Sequence, residues 1–591
     1  MFSPNTVLHY TLSVLSWTQH TFRVTLDVPE HQADTLSVSL PAWIPGSYMI
    51  RDFARSVLRL EAVDNDGHAL QVSKSDKQTW QIQTTGQACT LSYDVFAFDL
   101  SVRSAYICND YAFCNGTSVF LRVAGSDEMP CNLTITPPEL EGMEIATGMP
   151  QQGAVYRSDS YDDFIDYPIF IGYCRQHTFN VGNVRYTLLF SGQDPIDIER
   201  IAKDMVPVCQ HHMTLFGDPQ PIDDYLFITL VSDTGFGGLE HTNSTALLYP
   251  RFDLPFVNDP EDKTDSYITF LSLCSHELFH TWNVKRIKPE VMVRPNLAAE
   301  VYTPQLWIYE GFTSYYDDLT LARANVISPQ KYLDIISGHL TRLYQNEGRH
   351  KQSASESSFD AWTRFYKQDA NSINHIVSYY TKGGIAAMGL DLLLQRRSGG
   401  KASLDELMRE LWARYGKNGL GTPDNVIETL CQTCFGVDVT DYINAVIHGK
   451  DDVPLAELLN DIGVSMHFRA RLGPDDKGGV EPDSASSPYQ VGAGLKDAAT
   501  GISVTQITEG LAAEQAGLQV GDVILAVSDY VVNTKRLHRL LDTHQEDTLP
   551  LTVIRDGKLI RAALPRVRTR HDVCYLKLDT EDTFRRWLGL K

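Results

Sequence analysis

The stretch Ser275-His276-Glu277-Leu278-Phe279-His280-Thr281 decides how this chain reads. It has the form H-E-x-x-H. On a helix, residues four apart lie on one face, one turn from each other. Two imidazoles so placed can bind one Zn²⁺, and the glutamate beside the first then faces the open side of the metal, where a water sits. The alternative is an amphipathic helix with two surface histidines. The residues upstream argue against it. Asp265 or Ser266 is read as the cap of a helix running through Tyr267-Ile268-Thr269-Phe270-Leu271-Ser272-Leu273-Cys274. That run is largely apolar, so the helix is expected to be buried. Buried histidines and a buried glutamate need partners, and a metal supplies one.

Catalytic zinc usually takes three protein ligands and keeps a fourth position open. The third is sought in Leu306-Trp307-Ile308-Tyr309-Glu310-Gly311-Phe312-Thr313-Ser314-Tyr315-Tyr316-Asp317-Asp318, entered through Thr303-Pro304. Glu310 stands in an apolar stretch where a carboxylate is otherwise out of place, and it is the choice for the third ligand. The other reading of Glu310 is a buried carboxylate held by hydrogen bonds. Asp317 lies two helical turns further on the same face. It is read either as the acceptor that orients a ligand histidine or as an ordinary solvated side chain.

H-E-x-x-H followed by W-x-x-E-G-F resembles the zinc peptidases whose third ligand is glutamate. Within them the chain resembles the glycyl aminopeptidase family, a distant relative of the aminopeptidase N family. Further segments carry the likeness: Pro41-Ala42-Trp43-Ile44-Pro45-Gly46-Ser47-Tyr48-Met49-Ile50-Arg51-Asp52-Phe53-Ala54, His280 to Pro289, Ser378-Tyr379-Tyr380-Thr381-Lys382-Gly383-Gly384 and Ser403-Leu404-Asp405. Residues 281–309 separate His280 from Glu310, a longer insert than in aminopeptidase N, so Glu310 is assigned by motif and not by spacing.

The resemblance implies roles for other residues. Gly237-Gly238-Leu239-Glu240-His241 follows Tyr225-Leu226-Phe227-Ile228-Thr229-Leu230-Val231, which reads as a buried strand. Gly237 and Gly238 allow close backbone approach to a ligand. The segment resembles the G-x-M-E-N strand of aminopeptidase N, whose glutamate binds the substrate's α-amine. Carried over, Glu240 is the amine anchor, and His241 stands where that family has asparagine. Tyr380 precedes Thr-Lys-Gly as the catalytic tyrosine of aminopeptidase N precedes Glu-Lys-Gly. A phenol there can donate to the developing oxyanion. Tyr379 is the neighbouring alternative, and neighbours on a helix differ by about 100°, so only one should face the metal. The reaction implied is release of one residue from the N-terminus, glycine or alanine by the family's name. One Zn²⁺ is held by His276, His280 and Glu310, and Glu277 is the general base.

The expected fold class is multidomain α+β. Residues 1–175 alternate polar and apolar in short runs, as in Thr21-Phe22-Arg23-Val24-Thr25-Leu26-Asp27-Val28, and are read as an N-terminal antiparallel β domain. The Pro41–Ala54 segment is either a loop reaching the active-site cleft or a turn holding the sandwich. Residues 176–460 are read as a thermolysin-like catalytic domain with a helical region. Within it, Lys285, Arg286 and Lys288 are either ligands of a substrate carboxylate or cations at a helix C-terminus. Residues 461–491 are read as a linker, 492–567 as a PDZ domain and 568–591 as a tail. The PDZ reading rests on Ala512-Ala513-Glu514-Gln515-Ala516-Gly517-Leu518-Gln519-Val520-Gly521-Asp522-Val523-Ile524. Such domains add an extended chain end to a sheet edge. The candidate carboxylate loop Gly492-Ala493-Gly494-Leu495 departs from the usual G-L-G-F type, so a packing or gating module is the other reading.

Lysine and arginine total 51 and aspartate and glutamate 74, a net charge of −23 that disfavours nucleic acid and anionic membranes as partners. No run reaches the length of a membrane helix, and no signal peptide is read at Met1-Phe2-Ser3. The ten cysteines are expected as cytosolic thiols, with Cys431-x-x-Cys434 read as two helix-end thiols and not as a zinc knuckle. The expectation is a cytoplasmic zinc aminopeptidase acting on peptides with a free N-terminus. The alternatives are a PDZ-containing binding protein with a structural or inactive zinc site, and an endopeptidase using the same site.

Overall fold

The computed structural model describes residues 2, 6–138, 140–473, 476–479, 481–482 and 487–590. The chain divides into two compact units. The first is 1–301 with 324–326 and 411–422; the second is 302–323, 327–410 and 423–591. The fold class is multidomain α+β, as expected from the sequence.

The first unit begins with β structure. Its largest sheet has seven strands, in the order Gln151–Gln152, Val155–Ser158, Cys131–Ile135, Leu8–Ser16, Thr21–Val28, Cys89–Phe96, Val57–Asp64. The pairs are antiparallel except Leu8–Ser16 with Cys131–Ile135. The period-2 pattern is realised residue by residue: Leu8, Tyr10 and Leu12 point inward with no exposed surface. Two four-stranded sheets complete the β part.

A five-stranded mixed sheet follows. It comprises β1 (Cys174–Val181), β2 (Val184–Ser191), β3 (Asp224–Ser232), β4 (Gly237–Glu240) and β5 (Ser244–Pro250), in the order β1-β2-β3-β5-β4. Its central strand β3 is parallel to both neighbours, and β4 is the edge strand. Leu226, Ile228 and Leu230 of β3 belong to the same apolar core as the N-terminal sheets. On the strand's other face lies Tyr225, whose hydroxyl donates to the Glu277 carbonyl. Burial on both faces explains the unbroken apolar run of β3. Helix α1 (Ile198–Phe216) packs beside helix α2 (Asp265–Phe279), which carries the H-E-x-x-H residues.

The second unit is helical and then β. Helices α3 (Phe312–Arg323), α4 (Pro329–Tyr344) and α5 (Thr381–Ser398) pack together. Strand β6 (Val464–Arg469) lies in the stretch read as linker. The stretch read as a PDZ domain follows, a six-stranded sheet starting with β7 (Ala493–Ala498) and β8 (Gly501–Ile507), with helix α6 (Thr534–Thr543). Its own apolar core includes Val504, Ile524, Leu537 and Val553. Strand β9 (Val573–Leu578), in the stretch read as tail, pairs with β6 and lies on α4, where Ser337 and Thr341 accept the Leu576 and Cys574 amides. Pro474 and Asp475 of the expected linker lie outside the described residues. Among the described residues no helix is long and apolar enough to cross a membrane, and the ten cysteines form no disulfide.

Candidate active site

Helix α2 is buried as expected, with Tyr267, Phe270, Leu271 and Cys274 inaccessible or nearly so. Its cap is a correction to the sequence reading. Thr264 is the N-cap, its hydroxyl accepting the Tyr267 amide, and Asp265 is the first helical residue. A side-chain oxygen one residue before the helix satisfies an otherwise orphaned N–H. Ser275 is bonded to His212 of α1 at 3.0 Å, so the helix is pinned beside its functional residues.

The His276 and His280 rings stand 4.7 Å apart, nearly perpendicular. His280 Nδ1 lies 2.6 Å from the Asn283 carbonyl, which fixes the ring and makes Nε2 the atom it offers to a metal. Glu277 is 4 % exposed. Its backbone carbonyl is held by Tyr225, and Thr245 Oγ1 approaches its carboxylate at 3.5 Å. Gly238, on edge strand β4, faces this carboxylate so closely that a Cβ there would overlap it.

Glu240 ends β4 and is 4 % exposed. Ligand atoms of Glu240, Glu277 and His280 lie within 4.8 Å of one another. Gly46, from the Pro41–Ala54 segment, meets Glu240: with φ at +89°, its Cβ would lie 2.5 Å from the carboxylate. This loop therefore reaches the glutamate on the edge strand. The Oε1 of Glu240 is buried and accepts no hydrogen bond. A buried carboxylate oxygen without a donor is costly, so it marks a place for a cationic ligand.

His241 is buried, with Nδ1 3.2 Å from Asp166. Asp166 also takes the Lys285 ammonium at 2.7 Å and the Thr242 amide and hydroxyl. Burial raises its acidity constant's pKa, but Lys285 and His241 outweigh that and hold the carboxyl well below the usual range. Arg286 donates to the Thr242, Thr281 and Pro221 carbonyls. Lys285 and Arg286 are thus spoken for, against the reading of the whole basic cluster as substrate ligands. Asp166 carried no signal in the sequence, since its partners lie more than 70 residues away.

In the second unit Glu310 is 2 % exposed, in a π-helical turn, Trp307–Gly311, that leads into α3. Such turns shift side chains out of regular helical register and recur at functional sites. Tyr380 immediately precedes α5 and stacks on Tyr379, ring centroids 4.7 Å apart. Burial, then the negative charge of Glu310, pushes the Tyr380 phenol well above its usual pKa. Its hydroxyl is 3.5 Å from that of Tyr366. Gly311 and Gly383 meet, a Cβ on Gly311 falling 2.6 Å from the Gly383 Cα, so two glycines let the Glu310 and Tyr380 segments touch. Asp317 accepts the Asp318 amide at 2.6 Å. The Cys431 thiol is pushed up to about 12, chiefly by burial, and Cys434 lies near Glu410.

The donor types fit zinc. Two imidazoles one helical turn apart, one of them locked through its other nitrogen, together with a buried carboxylate, make a nitrogen and oxygen set that Zn²⁺ accepts.

Residues 9–173 match the peptidase M61 N-terminal domain, 269–386 the M61 glycyl aminopeptidase and 484–565 a PDZ domain. An aminopeptidase N family protein from Idiomarina loihiensis is 36 % identical with a TM-score of 0.95, over 98 % of this chain and all of the other. An M1 zinc metallopeptidase from Deinococcus radiodurans is 13 % identical with a TM-score of 0.46, over 76 % of this chain and 95 % of the other. No curated protein matches. The fold and the matched regions define a hydrolase of the peptidase class. The chain belongs to the M61 glycyl aminopeptidase family and carries a C-terminal PDZ domain.

Proposed function

We propose that this protein is a zinc-dependent aminopeptidase that releases single N-terminal residues, small ones such as glycine and alanine among them. The observation that supports it best is the buried Glu240 oxygen without a donor, within 4.8 Å of the Glu277 carboxylate. A protonated α-amine fits that oxygen, and an amine held there brings the first peptide carbonyl beside Glu277. An endopeptidase has no use for such an anchor.

His276, His280 and Glu310 would hold one Zn²⁺, which polarises a carbonyl and makes water a nucleophile at neutral pH. Glu277 takes the proton from the attacking water and hands it to the leaving amine. Tyr380 donates its hydroxyl to the developing oxyanion. Its raised pKa keeps it protonated, as a donor must be. Gly237 and Gly238 leave edge strand β4 bare of side chains near the catalytic carboxylate, so that the substrate backbone lies against it. Asp317 is proposed to support the ligand set from α3. The PDZ domain is proposed to take a chain-end ligand.

The test compares hydrolysis of Ala-Ala-Ala and N-acetyl-Ala-Ala-Ala, with and without a chelator. Cleavage of the free peptide alone, abolished by the chelator and restored by Zn²⁺, is expected. Equal cleavage of both peptides would remove the anchor role of Glu240 and favour an endopeptidase.

A further inference from the structure

A cavity of about 220 Å³ opens beside Glu240, within the first unit. Trp43, Tyr48 and Met292 give it apolar walls, and Glu240, Lys285 and Lys288 give it charge. Three aspartates also border it, and two of them are engaged by hydrogen bonds. Asp166 holds Lys285, His241 and Thr242. Asp163 accepts from Tyr167 and from the Asp159 amide. Asp162 lies at the exposed rim, where desolvation and then the Asp127 charge raise its carboxyl above the ordinary value.

Two charged groups remain. One is the buried Glu240 oxygen. The other is the Lys288 ammonium, which makes no ion pair or hydrogen bond among the described residues. Burial, then the neighbouring Lys285 charge, pushes Lys288 down to about 8. The half-buried Lys288 feels the Asp166 and Asp162 charges but bonds to neither carboxylate, so an anion entering the cavity can pair with it directly.

We infer that this cavity receives the side chain of the first substrate residue, and that Lys288 makes it favour a carboxylate there, aspartate or glutamate over their amides. The inference rests on Glu240 as the amine anchor. The α-amine and the side chain leave the same Cα, so an amine on Glu240 sends the side chain into the space that Glu240 walls. Small residues enter without filling it. An acidic one reaches an ammonium that no carboxylate bonds, in a site with apolar walls, where a charge-assisted hydrogen bond counts for more than in water.

The experiment measures kcat/KM of the zinc-loaded full chain on Glu-Ala-Ala and Gln-Ala-Ala, on Asp-Ala-Ala and Asn-Ala-Ala, and on free and N-acetylated Ala-Ala-Ala. Each acid is expected to exceed its amide by on the order of tenfold. In Lys288→Met the acid-to-amide ratio should fall to about one, and in Lys288→Glu the preference should turn to Lys-Ala-Ala over Gln-Ala-Ala. The ratio is internal to each variant, so a partly unfolded preparation does not imitate the result. An acid-to-amide ratio near one in the unaltered chain, or an unchanged ratio in Lys288→Met, overturns the inference. If in that case the acetylated peptide still resists cleavage, the amine anchor survives and only the subsite assignment fails. Cleavage of the acetylated peptide as fast as the free one brings down the anchor and the subsite together.

Discussion

Tyr379 and Tyr380 differ by one position and stack on each other, and the Glu310 charge acts on the Tyr380 phenol. Tyr380→Phe is therefore expected to lower kcat on Ala-Ala-Ala by on the order of 10²-fold or more, the cost of losing one oxyanion donor. Tyr379→Phe should cost far less, and the reverse order in steady-state kinetics would show that the wrong phenol was chosen. At this scale the sequence was legible where chemistry restricts residue type. Two histidines at i and i+4, the glutamate between them and a glutamate in an apolar stretch stand out because little else explains them. Asp166 and the meeting of Gly46 with Glu240 were not legible. Each gains meaning only from a partner far away in sequence, 75 residues between Asp166 and His241 and 194 between Gly46 and Glu240. The helix cap was placed one or two residues too late because Thr264, Asp265 and Ser266 are all residue types that favour caps, and only backbone geometry tells which one caps.

Elements hold these residues at fixed separations, and two glycines show how little room is left. Gly238→Ala puts a methyl group into the Glu277 carboxylate, so kcat should fall on the order of 10²-fold while circular dichroism and Tm stay close to those of the unaltered chain. A substantial loss of folded protein instead would mean that the strand, not the carboxylate, yields. Helix α2 depends on its cap: Thr264→Ala should cost about 1 kcal/mol in urea unfolding, and Thr264→Ser much less. The chain leaving that helix is tied to the β part of the first unit by Lys285 and Asp166, an ion pair with side chains 10 % and 17 % exposed. Lys285→Met strands a buried carboxylate and should cost about 3 kcal/mol at pH 7. The folded-state pKa of Asp166 lies below that of the unfolded chain, so its contribution is complete above about pH 4 and is lost as pH falls through the acid range. Urea unfolding of both proteins at pH 7 and pH 3 should show the gap between them narrowing in acid; a gap that widens would reverse the sign of the linkage. The β character of the N-terminal part was plain from its period of two. The pairing of β6 with β9 across the PDZ domain was not, since the two strands lie more than 100 residues apart and each is short.

At the scale of the whole molecule, local and global electrostatics pull in opposite directions. The chain carries 51 basic and 74 acidic side chains, a surplus of 23 negative charges. Such a surplus repels an acidic peptide as it approaches and draws in a basic one, a long-range effect screened within about 10 Å at 0.1 M salt. The Lys288 ammonium acts only after arrival, inside a cavity with apolar walls where salt screens little. The two contributions should therefore separate on changing ionic strength. From about 0.02 M to about 0.3 M salt, kcat/KM for Glu-Ala-Ala should rise relative to neutral Gln-Ala-Ala, because the repulsion on approach weakens while the contact in the cavity persists. With Lys-Ala-Ala the same change should lower kcat/KM relative to the glutamine peptide. In Lys288→Met the acidic peptide should keep its rise with salt but lose its advantage at every salt concentration. A fall in the Glu-to-Gln ratio with salt in the unaltered chain would mean that an exposed basic surface, and not the walled ammonium, attracts the acidic residue.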